Sequence, residues 1–159
     1  MVFRTNRLLA ATVLMSAVFG ASVSAIAVDV DAVVKERQAT MKQQGKDMGA
    51  VKAFLDGKSD QTAALAAATD LTRTTQKIPE LFPPGTDKPS PSGDYAPKPA
   101  IWTNWSKFID AQKAAAAKAD ALVAAVKAGD KAAIQTAFAD LGKNGCGNCH
   151  TNFREKLKP

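Results

Sequence analysis

Cys146, Cys149 and His150 are the residues of this 159-residue chain whose types and spacing indicate a specific chemistry. Two cysteines three positions apart, followed directly by a histidine, form the attachment pattern of c-type haem, in which both sulfurs bond to the porphyrin and the imidazole binds iron. On one helical turn the two sulfurs project to nearly the same side. The sequence therefore predicts one covalently attached haem c, with His150 as an axial iron ligand.

Two other uses of a Cys-x-x-Cys pair fit the chain less well. A structural zinc site needs about four protein ligands, whereas Cys146, Cys149 and His150 are the only cysteines and the only histidine in the sequence. A thioredoxin-like redox pair belongs to a βαβ setting, but the sequence before the pair has a helical pattern. A plain disulfide between the two cysteines stays open as the alternative to haem attachment.

The first 27 residues have the features of a secretory signal peptide. Arg4 and Arg7 precede an apolar run over residues 8–23, and small residues follow it, so that cleavage is expected near residue 25 or 27. Removal of the two arginines lowers the formal net charge from +6 to about +4. We therefore expect a periplasmic haem domain over residues 28–159, without stable membrane insertion of the mature chain; a retained membrane anchor is the alternative.

The mature part of the chain is mildly basic, and its lysines are spread along helix faces. This distribution is typical of a solvated surface, while a docking patch for an acidic redox partner protein stays open. The sequence contains no nucleic-acid-binding motif and no repeat of fixed period. It therefore favours protein partners over nucleic acid.

Two amphipathic helices are predicted at the start of the mature chain. The first covers about residues 29–55 and ends before Gly57. The second runs from an N-cap at Ser59 to Ile78 and stops at Pro79. One face of the first helix carries a stripe at alternating steps of four and three, namely Val30, Val34, Arg37, Met41, Gln44, Met48, Val51 and Leu55.

Two further helices follow a long connection. Seven of the eight prolines lie between Pro79 and Pro99, which predicts an extended loop. A third helix is expected over residues 100–128 and a fourth over residues 131–156, separated by a short Gly-Asp turn. The inward stripe of the third helix comprises Ile101, Trp105, Phe108, Gln112, Ala115, Ala119, Leu122 and Val126. Two short turns and one long connection predict an all-α domain, an antiparallel up-down-up-down four-helix bundle with a proline-rich loop between the second and third helices.

The chain resembles a class II cytochrome c, of the cytochrome c-prime family. The resemblance covers nearly the whole mature chain and implies the same four-helix bundle, with homodimerisation through the first two helices as in relatives. A methionine in the first helix binds iron in low-spin members, whereas five-coordinate members commonly have an apolar residue there and leave the sixth iron position open. The matching residues are Cys146, Cys149, His150, Phe153 and Arg154 near the C-terminus, with Arg37 and Met41 in the first helix.

Met41 is the methionine whose level in the bundle best matches His150. Cleavage of the signal peptide leaves Met41 and Met48 as the only thioethers, both on the inner stripe. In an antiparallel bundle His150, about 6 residues from the end of its helix, faces the early part of the first helix, where Met41 lies about 12 residues in and Met48 about 19. We therefore predict Met41 as the sixth iron ligand and Met48 as core packing.

Arg37 and Arg154 are predicted to contact the haem environment. Arg37 is expected to pair with a propionate, and Arg154 to lie on the histidine side; a solvated position is the alternative for each. Trp102, Trp105 and Phe108 are expected in the core.

The predicted ligand pair indicates one-electron transfer between redox partners. With both axial positions filled, iron changes charge with little rearrangement and offers no vacant site to a substrate. A five-coordinate cytochrome c-prime that binds nitric oxide or carbon monoxide is the alternative, and it requires Met41 to be detached or easily displaced. An enzyme such as a peroxidase is disfavoured, because no second histidine exists for acid–base catalysis on the open side.

Overall fold

The computed structural model describes residues 28–89 and 94–157, and these form a four-helix bundle. The predicted signal peptide lies outside the described residues and stays a prediction. Among the residues that the structure describes, no helix combines the length and the apolar character needed to cross a membrane. In chain order the helices are α1 Val30–Leu55, α2 Gln61–Gln76, a 3₁₀ turn Ile78–Leu81, α3 Ala100–Thr103, α4 Trp105–Ala128, α5 Lys131–Asp140, a π-helical segment Leu141–Gly147 and α6 Asn148–Phe153.

The long helices form a closed ring in which α1 packs on α2, α2 on α4, α4 on α5, and α5 on α1. The Lys131 ammonium, at the start of α5, lies 5.6 Å from the ring centroid of Phe54, at the end of α1. The Gln61 amide, at the start of α2, donates to the carbonyl of Val126, near the end of α4, at 2.7 Å. Neighbouring helices therefore run antiparallel, and the predicted up-down-up-down bundle is confirmed.

Side-chain caps set several helix ends. Asp29 precedes α1 and accepts a first-turn amide hydrogen bond at 3.0 Å, and Asp130 caps α5 in the same way at 2.9 Å. Gly129 ends α4 with φ +74°, in the left-handed region that favours glycine. These boundaries agree with the predicted ones.

The predicted boundaries of the second helix are wrong by one to two residues. Asp60, rather than Ser59, accepts the capping hydrogen bond, from the amide of Ala63 at 2.8 Å, while the Ser59 hydroxyl is buried without a partner. A carboxylate one residue later competes successfully for the first-turn amides. The helix ends at Gln76, before a 3₁₀ turn that includes Pro79.

The predicted third helix is interrupted at Asn104, which has φ −131° and ψ 51° and separates α3 from α4. The indole Nε1 of Trp102 donates to the carbonyls of Phe82 and Pro83 at 3.1 and 3.2 Å, which holds α3 against the connection that precedes it. After this break Trp105 is 40% exposed, so its predicted place in the core is wrong.

The last helix of the bundle consists of α5, the π-helical segment and α6, which follow one another without interruption. It ends at Phe153 rather than at Lys156. Residues Arg154–Lys156 form a strand, β2, which pairs antiparallel with β1, Tyr95–Pro97, from the proline-rich loop. The loop supplies backbone partners to the end of the chain, because the amide of Leu157 donates to the carbonyl of Asp94 at 2.7 Å. Helical periodicity does not indicate such a pairing between two strands that are far apart in the chain, so the sequence did not predict it.

Two groups of buried apolar side chains fill the bundle. The turn-end core lies near the short α1–α2 and α4–α5 connections, and the loop-end core lies below the proline-rich connection. The turn-end core comprises Val51, Ala64, Ala67, Ala68, Leu71, Ala119, Leu122, Val126, Ile134 and Leu141. The loop-end core comprises Ile78, Leu81, Phe82, Ile101, Phe108 and Phe153.

Asp47 is a buried carboxyl group that the α1 stripe did not predict. It is 6% exposed; its Oδ1 accepts from the Gln43 amide at 2.8 Å, and its Oδ2 has no hydrogen-bond partner. Burial raises the pKa of Asp47, and Asp70 on α2 adds to the rise, while Gln43 and Arg73 oppose it.

We expect Asp47→Asn to stabilise the fold more at high than at low pH. A carboxyl group whose folded-state pKa exceeds its unfolded value, here 3.8, stabilises the protein below that value, and the contribution is lost as the pH rises through the folded value. Above it, the wild type bears a buried carboxylate oxygen without a donor, at a cost of about 1 kcal/mol.

Thermal unfolding of both proteins at a pH near the unfolded-state value and at a pH well above it measures this difference. The gain in melting temperature should be larger at the higher pH. An equal gain at both values would contradict the role of the charge. Asp120→Asn, at an exposed position on α4, is the matched control and should behave as the wild type.

Candidate functional site

A single apolar cavity of about 300 Å³ contains the haem-motif residues of the last helix and the predicted ligand of α1. It lies between the turn-end and loop-end cores, with walls from α1, α4, the last helix and β1. Its lining comprises Val34, Arg37, Gln38, Met41, Lys42, Gln44, Thr75, Ile78, Phe82, Lys88, Tyr95, Ala96, Pro97, Ile101, Phe108, Gln112, Ala115, Cys146, Cys149, His150, Phe153 and Arg154.

The two cysteines lie on consecutive turns of the last helix. Cys146 belongs to the π-helical segment and Cys149 to α6, and both are half-buried free thiols that line the cavity. Burial raises the pKa of Cys146 and raises that of Cys149 to about 11, with the charge of Cys146 contributing at Cys149. Thiols of redox-active pairs have lowered pKa values, so these environments do not favour disulfide exchange.

His150 directly follows Cys149 and lines the same cavity. Burial lowers the pKa of His150 to about 4, and the positive charge of Arg154 adds to the effect. The imidazole is therefore neutral at physiological pH, which is the form that binds a metal ion.

Gly145 lets the last helix approach α4 closely beside the haem motif. A Cβ added to Gly145 would lie 3.5 Å from Cα of Ala115 and 3.0 Å from Cδ1 of Leu141. The π-helical segment, Leu141–Gly147, carries this contact and Cys146 together. π-helical turns are frequent at functional sites, and the prediction of one regular helix over residues 131–156 did not include this one.

Met41 and Met48 lie on the same face of α1 but in different surroundings. Met41 lines the cavity and packs on the loop-end core. Met48 packs on the turn-end core, and its Cε lies 3.6 Å from the position that a Cβ on Gly142 would occupy. Because α1 and the last helix are antiparallel, moving seven residues back from Met48 and seven forward from Gly142 puts Met41 at the level of Cys149.

Arg37 is 7% exposed, so a solvated position is wrong for it. Its guanidinium lies 4.0 Å from the ring centroid of Phe82. Nε donates to the carbonyl of Leu81 at 3.0 Å, Nη2 to Thr86 Oγ1 at 2.9 Å, and both terminal nitrogens approach the Thr86 carbonyl at 3.2 and 3.3 Å. Burial lowers the pKa of Arg37 to about 10, which leaves it ionised at neutral pH.

Arg154 lies at the edge of the cavity, in β2 rather than on a helical turn after His150. It is exposed, and its guanidinium lies 4.1 Å from the ring centroid of Tyr95 in β1. The sequence suggested no role for Tyr95. Only the pairing of β1 with β2 brings the two side chains together.

Polar residues of the cavity form a group that the sequence did not single out. The Gln112 amide donates to the Thr75 carbonyl at 3.0 Å, and the Gln44 amide donates to the hydroxyls of Thr74 and Thr75 at 3.2 and 3.3 Å. Gln44 and Gln112 lie on predicted inward stripes. Their hydrogen bonds to α2 form only because α1, α2 and α4 pack together.

The donor set and the walls fit a covalently bound haem. Two thiols and a neutral imidazole come from one short stretch of the last helix, and the remaining wall is mostly apolar or aromatic, as a largely apolar macrocycle requires. Within residues 28–89 and 94–157, no group of three or more His, Cys, Asp and Glu side chains could hold a metal ion instead.

Known proteins share both the sequence pattern and the order of the helices. A family model described as Cytochrome C' matches residues 32–154. A cytochrome c-556 of Agrobacterium tumefaciens (strain II Chrys) is 36% identical over 125 residues, which are 77% of this chain and 97% of that protein. A cytochrome c' of Rubrivivax gelatinosus is 38% identical over 125 residues, which are 77% of this chain and 94% of that protein.

A solved structure shares the fold. It is a cytochrome c' described as having an unusual ligand-controlled dimer dissociation, and it superposes with a TM-score of 0.73 at 26% identity over 84% of this chain and 100% of that one. Cytochrome c' is itself a standard example of the four-helix bundle. Since the family match extends over most of the described residues and includes the haem motif, this chain belongs to the cytochrome c' family.

Proposed function

We propose that this protein is a periplasmic electron carrier whose iron is ligated by His150 and Met41. As a member of its family it carries covalently attached haem c, and the family consists of electron carriers and gas-binding proteins rather than typical enzymes. The observation that carries the proposal is that Met41 lines the same cavity as Cys146, Cys149 and His150. The haem supplies reversible one-electron chemistry at its iron when bound.

The residues of the chain have separate tasks in this proposal. Cys146 and Cys149 attach the cofactor to the last helix, and His150 presents a neutral imidazole from the same turn. The thioether of Met41, on α1, would bind the iron and would favour its ferrous state. The buried rings of Phe82 and Phe108 belong to the wall that excludes water.

Arg37 and Arg154 complete the proposed haem environment. Both line the cavity, Arg37 from α1 and Arg154 from β2. Their charges favour contact with the propionates or with the histidine side of the ring.

Export and partners are also proposals. The arginines and apolar run at the N-terminus favour secretion to the periplasm, where c-type haem is attached in bacteria. The mild positive charge of the mature chain favours an acidic redox partner protein. Homodimerisation through α1 and α2 stays a prediction, and a single-domain mass in sedimentation at micromolar concentration would contradict it.

The second candidate function is gas binding by a five-coordinate haem. Relatives named cytochrome c' and the solved relative with ligand-controlled dimer dissociation favour this possibility. It requires that the Met41 sulfur leave the sixth position free.

The optical spectrum of the purified protein tests the choice between these functions. We expect a low-spin spectrum with the weak red band of methionine bound to ferric haem, and little change when the reduced protein meets carbon monoxide. A high-spin spectrum that changes promptly with carbon monoxide would favour gas binding and overturn Met41 ligation.

A further inference from the structure

Arg37 joins α1 to the stretch Leu81–Thr86, which lies more than forty residues away in the chain. Its guanidinium donates to two backbone carbonyls and one hydroxyl of that stretch, at 2.9 to 3.3 Å. All of these acceptors are neutral. The side chain therefore acts as a planar fork that fits one backbone conformation.

The stretch that Arg37 holds is itself fixed from other directions. Thr86 is fully buried, and its hydroxyl donates to the Pro83 carbonyl at 2.8 Å. The Trp102 indole holds the carbonyls of Phe82 and Pro83 from α3. Arg37 therefore connects α1 to a rigid part of the molecule, of which Phe82 lines the cavity.

The part of α1 beside the cavity packs on α2, and Arg37 adds a connection from α1 to the loop end of the bundle. The packing of α1 on the last helix is concentrated in α5, at the turn end of the bundle, while the cavity separates α1 from α6. Met41 follows Arg37 by four residues, so the two side chains lie on adjacent turns of one face. Contacts that hold Arg37 therefore also restrain the adjacent turn of α1, which carries Met41.

We propose that Arg37 is a positioning residue for Met41, holding its sulfur at the sixth iron position through the bonds to Leu81 and Thr86. This inference rests on the proposed ligation by Met41. Without the fork, α1 moves more freely beside the cavity, the sulfur leaves the iron more often, and carbon monoxide enters sooner.

Carbon monoxide binding to the reduced holoprotein tests this role. If the sulfur must leave first, the observed rate reaches a limit at high carbon monoxide concentration, and that limit is the rate of sulfur dissociation. We expect Arg37→Gln to raise the limiting rate by about tenfold or more, since hydrogen bonds from a charged group are lost. Arg37→Lys should give a similar increase, because lysine keeps the charge but lacks the fork.

Two controls separate positioning from charge and from general stability. If Arg37 acted only through its charge, Arg37→Lys would keep the wild-type rate, and the proposal would be wrong. Leu71→Ala removes a buried side chain of the turn-end core, away from the cavity, and should lower the melting temperature while leaving the limiting rate unchanged. An equal acceleration in Leu71→Ala would show that Arg37 acts only through stability.

The wild type distinguishes failure of this inference from failure of the proposed function. If its rate rises with carbon monoxide concentration without reaching a limit, the sixth position is open and Met41 ligation is wrong. If the wild type shows the limit and both Arg37 variants keep the same value, Met41 ligation stands and the positioning role is overturned.

Discussion

With the proposed ligation by Met41, Met41→Leu is expected to open the sixth iron position and to convert the proposed electron carrier into a gas-binding protein. Leucine fills a similar volume in the cavity wall, but it has no sulfur to bind iron. If the wild type exposes its iron about 1% of the time, removal of the competing sulfur raises the apparent affinity for carbon monoxide about a hundredfold. The reduction potential should fall, because the thioether that favours ferrous iron is gone.

Carbon monoxide titration of the reduced variant and a potentiometric titration measure these two effects. Met48→Leu is the matched control, since Met48 lies on the same face of α1 but packs on the turn-end core. It should keep the wild-type spectrum and cost less than about 1.5 kcal/mol of stability. A wild-type spectrum in Met41→Leu, with the red band lost in Met48→Leu, would reverse the assignment of the two methionines.

The double variant Cys146→Ser, Cys149→Ser is expected to lose covalent haem completely and much of its stability. Neither hydroxyl forms the thioether bond, so no haem should remain with the chain on a denaturing gel stained for haem. The apolar cavity of about 300 Å³ would then be empty of haem. The cost is on the order of 5 kcal/mol, comparable to the whole stability of many domains.

His150→Ala separates attachment from iron ligation. Both cysteines remain, so the stained haem band should persist, while the spectrum loses its low-spin character because the imidazole ligand is missing. Thermal unfolding should rank the double cysteine variant as the less stable of the two. A haem band in the double serine variant, or a wild-type spectrum in His150→Ala, would contradict the assigned roles.

The helical stripes predicted much of the fold because burial depends on spacing along a helix. Val34, Arg37 and Val51 of the predicted α1 stripe are buried, and so are most of the predicted α4 positions. Trp105 is the exception, because α3 and α4 are separated at Asn104, a break that the spacing of apolar residues does not indicate. The end of the last helix was missed for a similar reason, since β2 forms only against β1.

The sequence predicted those parts of the site whose residues are close together in the chain better than those whose residues are far apart. The haem motif depends on residues within one or two helical turns, and its types and spacing indicated the cofactor directly. The level of Met41 needed only the rise of a helix and the antiparallel order of the bundle. The bonds of Arg37 to Leu81 and Thr86 had no such signal, because the loop conformation that offers those oxygens is set by packing.

The sequence by itself determined the helical bundle and the covalent cofactor and predicted the residues that attach it, because periodicity and motif spacing express short-range geometry. Tertiary structure decided that Arg37 is buried against a loop and that Arg154 lies over Tyr95. Each of these facts depends on contacts between residues far apart in the chain, which helical periodicity does not encode.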